Sequence, residues 1–317
     1  MMKRIRFGFL VVAAVFAQHA FADANLNKPS PSPSPSDTVL NQPVATPFQS
    51  ESCILSKTDP YDVGEVMHAG DYKGQCMHTE IRRPVVILSE DDQKITIANF
   101  YHDKAFWIAE MPKSGIDQVI FQIASFPASV PLIKFAHTQL RFIMKAGNTI
   151  KLTPQDTASK LAPTEIDQFN LVDQVTGPKG FDEFEATKGI GPNYGNVLRA
   201  MGSLDRAQEE LGGNDDTTRQ YLLNITDDEK VAAMVNGVYL SAKLGYGDIY
   251  KLLSENCTTT AFEILDKSIT YKHHVKPFRT YIWNLRDPIE GPSIRALNKR
   301  QVIEKELETW NEETGLK

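Results

Sequence analysis

From Pro84 onward, apolar and polar positions alternate in short runs. Pro84–Leu88 (PVVIL), Lys94–Ala98 (KITIA), Ala105–Ala109 (AFWIA) and Gln118–Gln122 (QVIFQ) are apolar or alternating stretches broken by turn residues, which predicts β-strands. In AHTQLRFIM, Leu140, Phe142 and Met144 alternate with His137, Gln139 and Arg141. One face of that strand can enter a core while His137 faces the other way. Lys145–Asn148 reads as a turn, and Thr149–Leu152 as the following strand.

The period then changes. Thr226-x-x-Glu229 is a capping box ahead of VAAMVNGVYLSA, predicting a helix over 227–243 that Gly245 and Gly247 stop. A second helix begins at Asn256, a good N-cap, with Ala261, Phe262, Ile264 and Leu265 at helical spacing. Ser293–Asn311 reads as a charged amphipathic helix, within a C-terminal helical segment 291–317. Strands first and a mostly helical second half predict an α+β fold.

The N-terminus has a different grammar. Lys3, Arg4 and Arg6 precede the apolar run Phe7–Phe16, and Ala20-Phe21-Ala22 is a small-x-small cleavage site. Residues 1–22 therefore read as a secretory signal peptide, too short in its apolar part for the ~20 residues of a membrane span. Lys28–Asp37 (KPSPSPSPSD) favours extended polyproline conformations, and 23–50 reads as a spacer. Residues 51–290 then form one domain, with 51–115 either strands of it or an accessory β-rich module. No later run is long and apolar enough to span a bilayer. The whole chain carries 34 Lys+Arg against 40 Asp+Glu, and loss of the leader removes three of the cations. Nothing in that balance favours nucleic acid as a partner.

Export gives the cysteine count meaning. There are three: Cys53, Cys76 and Cys257. An oxidising compartment favours pairing and leaves one over. A Cys53–Cys76 bridge would close a modest loop and leave Cys257 as the free thiol, although other pairings stay open. Cys257 falls on the first helical residue after Asn256, where free N–H groups and the helix dipole favour a thiolate and could hold an oxyanion. A thiol nucleophile needs a base. His273 and His274 follow the far end of that helix, His68 and His78 lie in or just beyond the Cys53–Cys76 region, and His102 sits at a strand boundary. His137, at the start of its strand, has the best setting.

The strand AHTQLRF (His137, Arg141, Phe142), then RQYLLNITDDEK (Arg219, Tyr221, Leu223, Thr226), then YGDIYKLLSENCTTTAFEILD (Tyr250, Asn256, Cys257, Thr258) together resemble the Lnb-type periplasmic domain family (domain of unknown function 4105). The resemblance covers about Phe121–Thr270. It implies a permuted papain-like arrangement of the NlpC superclass, with His before Cys in the chain and a Cys-bearing helix packed on an antiparallel sheet. It further implies thiol acyl-transfer or hydrolase chemistry in the cell envelope, on lipoprotein, lipid or peptidoglycan-peptide substrates, with peripheral membrane contact and without a cofactor. Cys257 and His137 are then the catalytic pair, with Asn256, Arg141 and Tyr250 in support. The imidazole also needs a polar orienting group; Asn148 in the turn and Thr149 opening the following strand are guesses for it with no motif behind them. The alternatives are a non-catalytic envelope module with the same fold, or a secreted interaction protein.

Overall fold

The computed structural model describes residues 49–127, 134–180, 186–189, 191–211, 217–246, 249–252, 255–278 and 290–310. The predicted signal peptide, the predicted spacer as far as residue 48 and residues 311–317 lie outside the described residues. The described part is α+β, built on a large and mostly antiparallel sheet.

Its strands are β1 (Val86–Glu90), β2 (Lys94–His102), β3 (Ala105–Pro112), β4 (Ile116–Pro127), β5 (Lys134–Met144), β6 (Ile150–Pro154), β7 (Thr164–Ile166), β8 (Gln168–Thr176), β9 (Gly195–Gly202), β10 (Thr217–Leu223) and β11 (Ile303–Glu306). The order across the sheet is β11-β10-β4-β5-β8-β9-β2-β3-β6-β7, with β1 on β2. The pairing between β2 and β9 is parallel, through Tyr101 and Met201. Residues 51–115 thus supply β1–β3 of the same sheet.

Besides a single turn at Ala186–Gly189, the helices are α1 (Ser203–Leu211), α2 (Asp227–Leu244), α3 (Cys257–Ser268) and α4 (Glu290–Arg300). Both predicted caps form. Thr226 Oγ1 accepts from Glu229 N at 3.3 Å while Glu229 Oε2 accepts from Thr226 N at 2.9 Å. Asn256 Oδ1 accepts from Thr258 N and Thr259 N at 3.0 and 3.1 Å.

The second half of the chain is not mostly helical: β7 to β11 all lie in it. The reason is that β8, β9 and β10 bury polar side chains (Asn170, Arg199 and Gln220) as well as apolar ones, which hides their period. The predicted C-terminal helix is also shorter. It ends at Arg300, Gln301 takes a φ of 55°, and Ile303–Glu306 joins the sheet beside β10. Val302 and Trp310 are buried there. The charged run IEKE reads equally as a helix face or as an edge strand; burial of its apolar neighbours decides.

The sheet has two unlike faces. Leu140, Phe142, Phe169 and Leu171 point into the main core, against Met234 and Val238 of α2 and Phe262 and Leu265 of α3. Gly237 lets α2 come close: a Cβ there would lie 2.2 Å from Leu171 Cδ1. The opposite face, under α1, is a buried polar layer. Gln139, Gln122 and Gln220 line up across β5, β4 and β10. Gln139 and Asn170 donate to Gln122 Oε1 at 2.9 and 2.7 Å, and Gln122 Nε2 donates to Gln220 Oε1 at 2.8 Å. The glutamines and Asn170 are tolerated in this layer because they satisfy each other.

Cys53 and Cys76 are disulfide-bonded, with an S–S distance of 2.06 Å, and Cys257 is the free cysteine among the described residues. The pairing is compatible with an extracellular or periplasmic location. No described helix is long and apolar enough to cross a membrane. The bridge closes a segment with little regular structure. In the chain-entropy picture its loss in a Cys53→Ser/Cys76→Ser double variant lowers unfolding free energy by ~3 kcal/mol, read as a lower denaturant midpoint.

Candidate active site

Cys257 opens α3 and is 7% exposed. Asn256 caps the helix by occupying Thr258 N and Thr259 N, and Asn256 N in turn donates to Thr259 Oγ1 at 2.9 Å. The Cys257 thiol lies 3.9 Å from the Ala136 carbonyl oxygen as a donor. Burial pushes its pKa up, and the Asp173 carboxylate adds to that; the Thr138 backbone N–H and the Thr138 and Thr258 hydroxyls act the other way and are outweighed. The resting sulfur is therefore a thiol. The dipole of α3 alone does not make it a thiolate.

The sulfur thus meets β5 on both sides of residue 137. The imbalance lies in the faces. Thr138 Oγ1 contacts Thr258 Oγ1 at 3.3 Å, so the side chain of Thr138 faces α3. The pleat turns the intervening His137 side chain toward α1. There burial lowers its pKa well below the ordinary imidazole value, helped by Arg206 and Arg82. His137 is a neutral imidazole at pH 7, and its buried Nε2 has no hydrogen-bond partner among the described residues. The expected picture of an imidazole facing the cysteine helix is corrected: the helix docks on the core face of β5 and the ring stands on the other. Pairing of β5 with β8 ends at Gln139–Val172. The margin of β5 at His137 is therefore not laddered to β8.

The supporting residues divide. Asn256 is the cap. Tyr250 is buried and donates its backbone N–H to Tyr194 O at 3.0 Å. Burial raises its phenol pKa, followed by the charge of Cys257 and then of Asp173, which places Tyr250 in the sulfur's surroundings. Arg141 is not brought to Cys257. It lies four residues, ~13 Å of strand, beyond His137. There it joins the polar layer, donating to Gln220 Oε1 at 3.0 Å and to Gln168. Asn148 and Thr149 follow the far end of β5, where Thr149 Oγ1 donates to Glu165 at 2.6 Å. His102 Nδ1 is held by Asp205 Oδ2 at 2.7 Å, and His273 Nε2 by Lys299 O at 2.6 Å.

Sequence reasoning missed Thr138, Thr260 and Asp173, and named Thr258 only as part of the helix-start motif. Thr260 Oγ1 donates to Asp173 Oδ2, fixing a carboxylate beside the sulfur. The signal available was the run of three threonines after Cys257, with a short polar group one turn into the helix.

Because the fold holds the proton on Cys257 longer than the unfolded chain does, stability is lost as pH rises past the ordinary thiol pKa of about 8.5. A Cys257→Ala variant lacks that loss. Urea midpoints measured between neutral and alkaline pH diverge in the variant's favour; parallel curves would contradict the raised thiol.

No protein-family profile, curated protein or solved structure matches this chain.

Proposed function

We propose that this is an exported thiol acyltransferase or hydrolase of the cell envelope, with Cys257 as nucleophile and His137 as base, on a permuted papain-like, Lnb-type domain. One observation carries the reading: the N-terminus of a capped helix sets a free thiol against the residues on either side of His137, whose ring stands on the other face of the strand with an Nε2 that has no partner among the described residues. The two groups would meet around the margin of β5 beyond Gln139, where β8 no longer pairs with it.

In this reaction the Cys257 sulfur attacks an acyl carbonyl as its proton passes to His137 Nε2. The C–S bond forms, and the tetrahedral intermediate expels the alcohol or amine, which takes the proton from His137. A second nucleophile, water or an amine, then takes the acyl group from the thioester. Thr138 N–H and the threonine hydroxyls are donors near the sulfur that can stabilise negative charge.

Incubation with a short-chain activated ester should give a wild-type adduct of one acyl mass that hydroxylamine removes. Cys257→Ser should give none. His137→Ala should form it ~100-fold or more slowly. Equal rates in wild type and His137→Ala would overturn the assignment of the base.

The burial of Cys257 favours a second reading, an envelope binding module in which the thiol is filler. That reading expects slow iodoacetamide labelling that rises with pH and ignores His137→Ala, together with no acyl adduct.

A further inference from the structure

The polar layer under α1 holds more cationic donors than it has acceptors. Arg199 is fully buried at 0% exposure. Its Nη1 donates to Gln174 Oε1 at 2.6 Å and reaches the Glu209 carboxylate at 3.1 and 3.3 Å. Its Nε and Nη2 have no acceptor among the described residues. Arg206 Nη1 reaches the same Glu209 carboxylate at 3.3 Å. Arg82 lies close enough to act on both Glu209 and His137. Two residues beyond Gln174 on β8, Thr176 adds a buried hydroxyl without a partner among the described residues. The other carboxylate, Glu210, already serves Arg206, Gln139 and Thr218.

Leaving guanidinium N–H groups buried and unmatched is costly. Planar guanidinium forks match the oxygens of a phosphate, with charge-assisted contacts ordinarily of ~2.7–2.9 Å. Glu209 touches its arginines at longer range, and its side chain is 24% exposed on the short helix α1. Of the two carboxylates on α1 that face these arginines, it is the more exposed.

We infer that the arginine group beside His137, centred on Arg199, is a seat for the phosphate of an anionic acyl donor, and that the Glu209 carboxylate stands in for that phosphate. The choice of an acyl donor rests on the thiol-enzyme reading above; the phosphate seat does not. A phosphate entering there displaces Glu209 and takes its place on Arg199 Nη1 and Arg206 Nη1, with Arg82, which acts on both Glu209 and His137, close by. Phospholipids are acyl compounds with such a group, and they fit a protein working at an envelope surface.

Two measurements test this. Titration calorimetry with inorganic phosphate at fixed ionic strength should show binding to the wild-type protein. Glu209→Gln, which removes the competing charge, should bind ~10-fold or more tightly, and Arg199→Gln should lose ~10- to 100-fold. Should Arg199→Gln fail to fold, Arg82→Gln gives the same comparison at a less central position. Absence of binding by both wild type and Glu209→Gln, or weaker binding by Glu209→Gln, overturns the seat. In the second measurement, Cys257 acylation from a soluble short-chain phosphatidic acid should exceed that from the uncharged diacylglycerol, with inorganic phosphate competing. Phosphate binding without acylation keeps the seat and removes the acyl donor. Acylation that is indifferent to the phosphate group overturns the seat while keeping the thiol chemistry.

Discussion

Replacing Phe262 by Ala should cost ~3–5 kcal/mol of stability and loosen the helix that carries Cys257. Phe262 is fully buried on α3. Its ring stacks on Phe278 at 4.3 Å, tilts against Phe121 of β4 at 5.3 Å and lies under the Arg300 guanidinium at 4.7 Å. The substitution removes the contact of α3 with the sheet and with two later segments at once. Phe262→Leu keeps most of the volume and should lose well under half as much. Chemical denaturation reads both values. The same variants connect packing to chemistry: Phe262→Ala should label faster with iodoacetamide than wild type at one pH, because Cys257 is kept from reagent by the docking of its own helix. A cost under ~1.5 kcal/mol would mean that α3 is not held as described.

The second large effect is expected at Arg83, far from the sulfur. This side chain is buried and faces two buried carboxylates, Asp59 at 2.6 Å and Asp62 at 3.3 Å. Its Nε donates to Thr79 O at 2.9 Å, and its Cζ lies 4.1 Å from the centre of the Phe106 ring. The two aspartates are also tied down. Asp62 Oδ2 accepts from Leu55 N and Ser56 N, and Asp59 Oδ1 from Tyr61 N and Gln155 Nε2. Arg83→Met matches length and apolar bulk but leaves two uncompensated buried charges, at a cost of ~3–5 kcal/mol. Adding Asp59→Asn and Asp62→Asn should restore much of the loss, since the charges and not the packing are at fault. Midpoints of the single and triple variants decide it; a triple variant no better than the single would point to packing instead.

How far the chain declares its structure differs from element to element. The β5 register was legible because Leu140, Phe142 and Met144 take the core face and leave His137, Gln139 and Arg141 on the other. Both helix starts were legible because a cap is a local contract between residues three apart. The strands β8 to β10 were not, because their polar residues are buried under α1, and a buried glutamine looks like a solvated one until its neighbours are known. The side on which α3 docks was likewise hidden. Alternation fixes that His137 opposes Leu140, but which face receives Cys257 depends on contacts 120 residues apart, such as Thr138 with Thr258. The small residues Ala136 and Thr138 flanking the histidine were the one local hint that something approaches the strand there.

The order of strands has a consequence for how the molecule is made. β10 lies beside β4 and β9 beside β2, so the sheet closes late, after nearly the whole chain is available. Cys53 and Cys76 leave the ribosome or a translocation channel long before Cys257 does, and they can find each other while no third sulfur competes. In an oxidising compartment that order of emergence would favour the Cys53–Cys76 pairing and leave Cys257 as the free thiol, as the structure has it.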